Sequence, residues 1–329
     1  MELSFVTLDV FTNKRLEGNP LAVVSVPASL EPELTQAKKQ KIAQEFNLSE
    51  TVFMHEPSSS DDDQKEEGTQ LRIDIFTVES ELPFAGHPTI GSAVLAKFHK
   101  YPGVDTLLTK SGPIRLEAVA SAGEDQAVRA RIAHDVRQHR HTLADVIPPA
   151  QHGSFPGLSH HEPAVRDAEL AAPLVSIVRG MTFALVRVPS LELLGRLDAG
   201  LRLDFAAAPP LQPLLDADRR PAGFVARYYY VDLGRGGDGV RAVRARMVEL
   251  GFEDPATGSA ASALTAYLTV RDRAENARFE VTQGVEMGRR SVIRVETTAE
   301  VEGDGDVKIR ELWLGGEAVV VQKGTLMVD

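Results

Sequence analysis

The chain has 329 residues, of which 43% are hydrophobic and 25% are charged, which is typical of a globular protein with room for two domains. Its net charge of -11 disfavours binding to nucleic acid or to anionic membranes, and the lack of cysteine excludes disulfides, zinc thiolates and thiol nucleophiles. The first residues lack the features of a signal peptide, and no apolar run reaches about 20 residues, so we expect a cytoplasmic protein without a membrane span.

Alternating apolar and polar residues dominate the first part of the chain and predict strands separated by turns. The predicted strands are residues 3–11, 21–26, 50–54, 71–77, 104–109 and 113–119. Helical spacing predicts a helix over residues 32–46, with an exposed basic face at 38–41, and a second helix over residues 92–99. Residues 58–68 are acidic and small, so we predict a solvated hairpin loop there.

The second part of the chain has a similar arrangement after an irregular stretch at residues 121–170. Strands are predicted at residues 174–179, 183–188, 222–232 and 240–248. A helix of small residues follows at 260–268, and residues 277–329 have the pattern of short strands with glycine turns. We therefore predict an N-terminal lobe at 1–125, which the last strand can complete, and a C-terminal lobe at 126–329. The irregular stretch is predicted to lie on the surface.

Two glycine-containing helix starts occur at corresponding places in the two halves. Glu81 lies four residues before Ala85, and Glu253 lies four residues before Thr257, with a glycine following each time. This faint repeat predicts a duplicated α+β fold with one such helix start in each half. Backbone N–H groups and the helix dipole favour a carboxylate or phosphate there, although the glycines can equally serve close helix packing. Neither stretch matches a dinucleotide-binding or nucleoside-triphosphate loop.

Several polar residues admit both a structural and a catalytic interpretation. His87 lies between a glycine and a proline, where a rigid backbone suits a side chain aimed at a ligand. Glu50 by itself would be an exposed acid at a strand edge, and Asp254 by itself a helix cap. Ser259 lacks a G-x-S-x-G elbow, which disfavours a serine hydrolase. The histidines of the irregular stretch lack partners at a metal-binding spacing and are predicted to be surface residues: His139, His141, His160 and His161.

Read together, five segments resemble the PhzF (phenazine biosynthesis-like) family along nearly the whole chain. They occur in the family's order at residues 18–24 (GNPLAVV), 47–53 (NLSETVF), 76–91 (FTVESELPFAGHPTIG), 253–260 (EDPATGSA) and 283–289 (QGVEMGR). The resemblance implies the fold of diaminopimelate epimerase, with two similar lobes, each a β-barrel-like sheet around a central helix, and an active site between them. Departures at Val78, Val248, Leu250 and Arg290 remove no catalytic group but leave the substrate open.

The resemblance also implies roles for single residues. The family's catalytic positions fall on Glu50, His87, Asp254 and Ser259, and its substrate-binding positions on Asn19, Gly86, Thr257 and Gly258. Ala85 and Thr257 stand where the related epimerases carry a pair of cysteines. The lack of cysteine therefore argues against a racemase that uses two thiols.

By the same resemblance we expect a cofactor-independent isomerase that moves a proton between carbons of a small unsaturated amino or hydroxy carboxylic acid. Glu50 would carry the proton, and Asp254 would raise the pKa of one of the two carboxyls if the lobes bring them together. No metal or cofactor is expected, and a monomer and a homodimer are both compatible with the family. The alternatives are a one-base epimerase or racemase on the same scaffold and a non-catalytic protein that binds a small acid or another protein.

Overall fold

The computed structural model describes residues 1–56, 69–119, 126–200, 202–205, 209–219, 223–249, 251–301, 303 and 306–329. The predicted acidic loop at 58–68 lies outside these residues, as does Leu250. The chain forms two compact units. The first consists of Met1–Ile132 and Trp313–Asp329, and the second of Ala133–Leu312.

Each unit combines a set of strands with a few helices. The first unit contains β1 (Glu2–Val10), β2 (Asn19–Val26), α1 (Gln36–Phe46), β3 (Thr51–His55), β4 (Thr69–Phe76), β5 (Glu81–Leu82), α2 (Gly86–Leu95) with a π-helical turn (Ala96–Lys100), β6 (Val104–Thr109), β7 (Gly112–Val119) and β8 (Ala127–Arg131). The second contains β9 (Arg137–Gln138), α3 (Leu143–Val146), α4 (Pro163–Leu170), β10 (Leu174–Val178), β11 (Met181–Arg187), α5 (Leu191–Gly195), β12 (Phe224–Arg235), β13 (Arg241–Glu249), β14 (Phe252–Asp254), α6 (Gly258–Arg271), β15 (Asn276–Gln283) and β16 (Ser291–Val301). The final strand, β17 (Val307–Met327), begins in the second unit and ends in the first.

The strands of the first unit pair in a closed circle. β1 lies between β17 and β2, β2 runs parallel to β3, and β3 is antiparallel to β4. From β4 the circle continues in parallel to β6 and then through β7 and β8 back to β17. Helix α2 contacts β1, β2, β3 and β8, so the sheet surrounds this helix.

Helix α2 is buried on every side, which explains its lack of a polar face. All of its residues from Gly86 to Leu95 are buried. Gly91 allows the close approach to the sheet, because a Cβ atom there would lie 2.6 Å from Leu21 Cδ2 and 2.8 Å from Val10 Cγ2. The helix starts earlier than the predicted segment because Pro88 falls in its first turn, where a missing N–H costs no hydrogen bond.

The second unit repeats this plan. β10 pairs with β9 and β11, β11 runs parallel to β12, β12 is antiparallel to β13, and β13 runs parallel to β15, which pairs with β16. Helix α6 contacts β10, β11, β15 and β16 and is mostly buried. This confirms the predicted α+β fold with a central helix in each half. In the described part of the chain, every helix is too short or too polar to span a membrane.

The predicted basic face of α1 is wrong at one position. Lys39 is buried, and its Nζ atom lies 2.5 Å from Asp74 Oδ2, which also lies 2.9 Å from His55 Nε2. Burial alone raises the pKa of Asp74, but hydrogen bonds from His55 and Lys39 outweigh burial and hold that pKa far below its usual range. The helical pattern cannot reveal this pair because the carboxylate lies on β4.

Part of the region predicted as irregular surface is core. Leu143, Leu158 and Val165 are buried in one apolar cluster with Tyr229 of β12. The pattern of this region is irregular because its apolar residues lie on short helices and turns, which have no sustained period.

The tail forms long strands rather than the predicted short ones. β16 has 11 residues and β17 has 21. Two glycines of β17 that resemble turn signals allow close contact inside the strand instead. A Cβ atom at Gly316 would lie 2.5 Å from the Phe11 ring, and one at Gly324 would lie 2.7 Å from the Phe5 ring.

Candidate active site

Three side chains of the first unit come together at the start of α2. His87, the second residue of this helix, is buried, and its Nδ1 atom lies 3.6 Å from Glu50 Oε2 and 3.5 Å from Asn19 Nδ2. Gly86 precedes His87 and begins the helix. The Glu50 side chain is only 17% exposed, so it is largely buried.

The backbone places Glu50 and Asn19 at the same edge of the sheet. Helix α1 ends at Asn47, whose left-handed φ of 51° turns the chain towards β3. Glu50 directly precedes β3, and Asn19 begins β2. The two strands are parallel, with Thr51 opposite Ala22, so both strands begin at one edge.

The electrostatics of this group favour a carboxyl that exchanges protons. Burial raises the pKa of Glu50, and a hydrogen bond from the Ser49 side chain offsets only part of this rise. With Asn19 Nδ2 as donor, the Nδ1 atom of a neutral His87 accepts, and the ring proton is then assigned to Nε2. A doubly protonated His87 would instead form an ion pair with Glu50. Burial therefore favours the protonated form of the Glu50 carboxyl beside the His87 ring.

A hydrogen-bond network holds the second helix start. Thr257 directly precedes α6 and donates its hydroxyl to Asp254 Oδ2 at 2.6 Å and its backbone N–H to Gln283 Oε1 at 3.2 Å. Gln283 Nε2 donates to Thr257 Oγ1 at 3.0 Å and to the Asp254 carbonyl at 2.7 Å. Asp254 is thereby fixed at both its backbone and its side chain.

The first residues of α6 provide backbone donors next to this network. The first hydrogen bond inside the helix joins the Ala261 N–H to the Thr257 carbonyl, so the N–H groups of Gly258 and Ser259 precede it. These groups lie at the positive end of the helix dipole, an arrangement that suits a carboxylate. Ser259 is half-buried and adds a hydroxyl at the same place.

The sequence does not single out Gln283 or Tyr228 as site residues. Gln283 is fully buried and accepts a hydrogen bond from Tyr228 Oη at 2.8 Å. One signal does exist, because Gln283 is followed by Gly284 in the fifth family segment. Gly284 has a φ of 74°, and a Cβ atom there would lie 2.4 Å from the Arg289 carbonyl oxygen and 2.6 Å from that of Pro255. Only glycine lets the end of β15 approach the backbone beside the candidate aspartate.

The predicted site residues fall into two groups. The first unit brings together Asn19, Glu50, Gly86 and His87, and the second brings together Asp254, Thr257, Gly258 and Ser259. The roles assigned to these eight residues stay predictions.

The prediction that His139 lies on the surface is wrong. The side chain is buried, its Nε2 atom lies 2.8 Å from Ser176 Oγ, and its Nδ1 atom accepts the backbone N–H of Asp216 at 3.1 Å. A neutral ring must then donate from Nε2 to the serine, the reverse of a catalytic triad. Burial lowers the pKa of His139, which fits a neutral structural residue. The other three histidines are exposed as predicted: His141, His160 and His161.

A groove of about 560 Å³ lies at the other end of α6, where Tyr267 and Val270 form part of its lining. None of the candidate residues lines it. Among the residues that the structure describes, no three His, Asp or Glu side chains are grouped so as to hold a metal ion.

The sheet around a central helix in each unit is the architecture of the diaminopimelate epimerase-like fold. A family model described as "Phenazine biosynthesis-like protein" matches residues 8–148 and 247–324, which is more than half of the chain. The chain belongs to this phenazine biosynthesis-like, or PhzF, family, which confirms the resemblance drawn from its five segments.

Individual relatives agree with this family. An uncharacterized isomerase of Mesorhizobium japonicum is 35% identical over 99% of both chains. The trans-2,3-dihydro-3-hydroxyanthranilate isomerase of Pseudomonas fluorescens is 29% identical, also over 99% of both chains. The crystal structure of a PhzF-family phenazine biosynthesis protein of Bacillus anthracis covers 100% of both chains with a TM-score of 0.70 at 20% identity, which supports the fold. The protein is thus an isomerase of the PhzF family.

Proposed function

We propose that this protein is a cofactor-independent isomerase that moves a proton between two carbons of a small unsaturated amino or hydroxy carboxylic acid. Glu50 is the acid–base group. The observation that supports this most is that burial raises the pKa of the Glu50 carboxyl, which lies 3.6 Å from the ring of the buried His87. Such a carboxyl can hold a proton closer to neutral pH than an exposed one and can still release it.

The reaction balances with one proton carrier. The Glu50 carboxylate takes a proton from one carbon, and the electrons of that C–H bond enter the neighbouring unsaturated system. The proton then returns from Glu50 to a different carbon of the same system. No atom or electron is gained or lost overall, so the step needs no further reactant.

The other candidate residues support this proton transfer. His87 lies beside both Glu50 and Asn19 and can orient the substrate or assist proton delivery. Asp254 is a second carboxyl that takes part in the reaction without carrying the proton between the two carbons. The backbone N–H groups of Gly258 and Ser259 bind the substrate carboxylate, because negative charge at a helix start is stabilised.

The substrate class follows from the proposed step and from one relative. The Pseudomonas fluorescens relative is named for trans-2,3-dihydro-3-hydroxyanthranilate, a small unsaturated acid with amino and hydroxy groups. We propose a substrate of this class for the present chain, and that compound is the first member of the test panel.

The test follows solvent deuterium into a panel of such acids in D2O, by NMR, together with migration of the double bond. Wild type is compared with Glu50→Gln and with Glu45→Gln, a matched change of an exposed glutamate on α1. We expect isomerisation by wild type and by Glu45→Gln, with deuterium incorporation because the proton held on Glu50 can exchange with D2O before it is delivered to the second carbon. Glu50→Gln is expected to lower the rate at least about 100-fold, the usual contribution of a general acid–base group.

Other results would contradict the proposal in distinct ways. A Glu50→Gln variant that keeps the wild-type rate removes Glu50 from the reaction. Deuterium that enters one stereocentre without migration of a double bond identifies a one-base epimerase. Binding of the acids with neither exchange nor isomerisation by wild type identifies a non-catalytic binding protein.

A further inference from the structure

We propose that Thr257 is a positioning residue that holds Asp254 in place and does not itself bind the substrate. It is the last donor in a hydrogen-bond chain that starts at Tyr228 and passes through Gln283. This inference rests on the proposed function, in which Asp254 takes part in the reaction, and it replaces the substrate-binding role that the family resemblance implies for Thr257.

The chain consists of three consecutive hydrogen bonds. Tyr228 Oη lies 2.8 Å from Gln283 Oε1. Gln283 Nε2 lies 3.0 Å from Thr257 Oγ1, and Thr257 Oγ1 lies 2.6 Å from Asp254 Oδ2. All three distances are within the normal range for a hydrogen bond.

The direction of each bond is fixed by chemistry. The backbone carbonyl of Asp254 can only accept, so the Gln283 atom 2.7 Å away must be the amide nitrogen. The other amide atom, Oε1, then accepts the N–H of Thr257 at 3.2 Å and the phenol of Tyr228. Thr257 Oγ1 accepts a hydrogen bond from the Gln283 amide, so its own hydroxyl proton is donated to the Asp254 carboxylate.

This arrangement commits both donors of Thr257 to the protein. Its backbone N–H goes to Gln283 and its hydroxyl proton goes to Asp254. A substrate carboxylate needs donors, and Thr257 has none to offer without breaking this chain. The N–H groups of Gly258 and Ser259 remain as donors at this helix start.

Burial makes the chain rigid. Gln283 and Tyr228 have no solvent exposure, so loss of the bond between them would leave the buried phenol of Tyr228 unpaired. Burial, together with the charge of Asp254, raises the pKa of Tyr228 well above its usual value, which keeps the phenol protonated as a donor. Consecutive bonds that point the same way polarise and strengthen one another. The carboxylate of Asp254 is therefore held in one orientation.

The kinetic test compares Thr257→Val with Thr257→Ser. Valine keeps the shape of threonine without the hydroxyl, and serine keeps the hydroxyl without the methyl group. If Thr257 positions Asp254, Thr257→Val should lower kcat for isomerisation about 10-fold to 100-fold, with KM within about twofold of wild type. Thr257→Ser should restore most of the rate. A loss seen only as a higher KM indicates substrate binding by Thr257 and overturns the proposal, as does a Thr257→Val variant with the wild-type kcat.

A second variant tests the start of the chain. Tyr228→Phe removes only the phenol hydroxyl, and Gln283 Oε1 keeps the Thr257 N–H as a donor. A smaller fall in kcat, about fivefold, is expected because one neutral hydrogen bond is lost. If Tyr228→Phe lowers kcat as much as Thr257→Val, and circular dichroism shows that both variants have lost folded structure, then the loss of activity reflects unfolding. That result would overturn the positioning role of Thr257.

A measurement without substrate separates this inference from the proposed function. The side-chain NH2 protons of Gln283 donate to two buried acceptors, so their hydrogen exchange, followed by NMR, should be slow in wild type and in Thr257→Ser. Thr257→Val removes one acceptor and should speed this exchange. Fast exchange in wild type contradicts the chain, even if Glu50 proves catalytic. Slow exchange in wild type and Thr257→Ser with fast exchange in Thr257→Val supports the chain, even if wild type isomerises no compound in the panel.

Discussion

Helices α2 and α6 both begin at a glycine, but different side chains surround the two helix starts. At the α2 start, His87 Nδ1 lies 3.6 Å from Glu50 Oε2, so two titratable side chains lie next to each other. At the α6 start, Thr257 joins Asp254 and Gln283 through short hydrogen bonds whose donors are fixed. Pro88 also removes one N–H from the first turn of α2, whereas the corresponding position in α6 is Ala260, which keeps its N–H.

This difference shows how a duplicated fold can specialise. The two helices are buried in the same way, and each unit contains two parallel strand pairs. The side chains at the helix starts differ, because the first start holds Glu50 next to His87 and the second holds Asp254 in hydrogen bonds from Thr257 and Gln283. Under the proposed function, the first start performs the chemistry and the second fixes an acid and an anion site.

The largest predicted effect tests this division directly. His87→Asn keeps an amide near the Nδ1 position but cannot change protonation, so it should lower the deuterium exchange rate about 100-fold. Ser259→Ala removes one neutral hydroxyl and should lower it only about fivefold to 10-fold. The exchange assay in D2O measures both, with His161→Asn, a change of an exposed histidine, as the control. Equal losses in His87→Asn and Ser259→Ala would remove the proposed asymmetry.

Much of the fold could be predicted from the sequence because strands and buried helices leave local patterns. The predicted strands at 174–179 and 183–188 correspond to β10 and β11, and the predicted helix at 260–268 lies within α6. Lys39 could not be predicted as buried, because its partner Asp74 is distant in sequence and only the fold brings them together. The same reason applies to His139 and Ser176.

The candidate site was predicted from motifs rather than from single residues. Taken alone, Glu50 has the pattern of an exposed strand-edge acid, but the structure leaves its side chain only 17% exposed. Only the combination of five family segments pointed to it as catalytic. Gln283 was visible as part of a segment, but its hydrogen bonds to Thr257 depend on the turn at Gly284, and no sequence pattern encodes such a contact.

A smaller effect is predicted for two glycines that allow close packing, Gly284 beside the start of α6 and Gly91 in the middle of α2. Gly284→Ala puts a Cβ atom against two backbone carbonyls at a φ of 74°, and neither carbonyl can move freely. We expect a loss of about 2 kcal/mol in the free energy of unfolding. Gly91→Ala meets only the side chains of Leu21 and Val10, which can shift, so about 1 kcal/mol is expected.

Urea unfolding measures both glycine variants, and Gly237→Ala is the control. A Cβ atom at Gly237 has no heavy atom within 4 Å, so this change should alter the free energy of unfolding by less than about 0.5 kcal/mol. If Gly91→Ala lowers the free energy of unfolding as much as Gly284→Ala or more, then the packing around α2 is as rigid as the backbone beside the start of α6.

The smallest predicted effect concerns the charge of Glu50 and the stability of the first unit. Because burial raises the pKa of this carboxyl in the folded protein, its protonated form is favoured there. The stability that this gives is complete below the pKa of the unfolded chain and is lost as the pH rises through the folded pKa. Glu50→Gln is neutral at every pH and should escape this loss.

The difference in the free energy of unfolding between Glu50→Gln and wild type, measured with urea, should therefore change between about pH 4 and about pH 8. Near pH 4 the variant and wild type should have similar free energies of unfolding, and near pH 8 the variant should be the more stable of the two. Asp254→Asn provides the contrast from the second helix start, because it weakens the bond from the Thr257 hydroxyl and should be no more stable than wild type near pH 8. If Glu50→Gln does not become more stable than wild type as the pH rises, then the protein stabilises the Glu50 carboxylate as an anion. In that case the first helix start, like the second, holds a stabilised carboxylate.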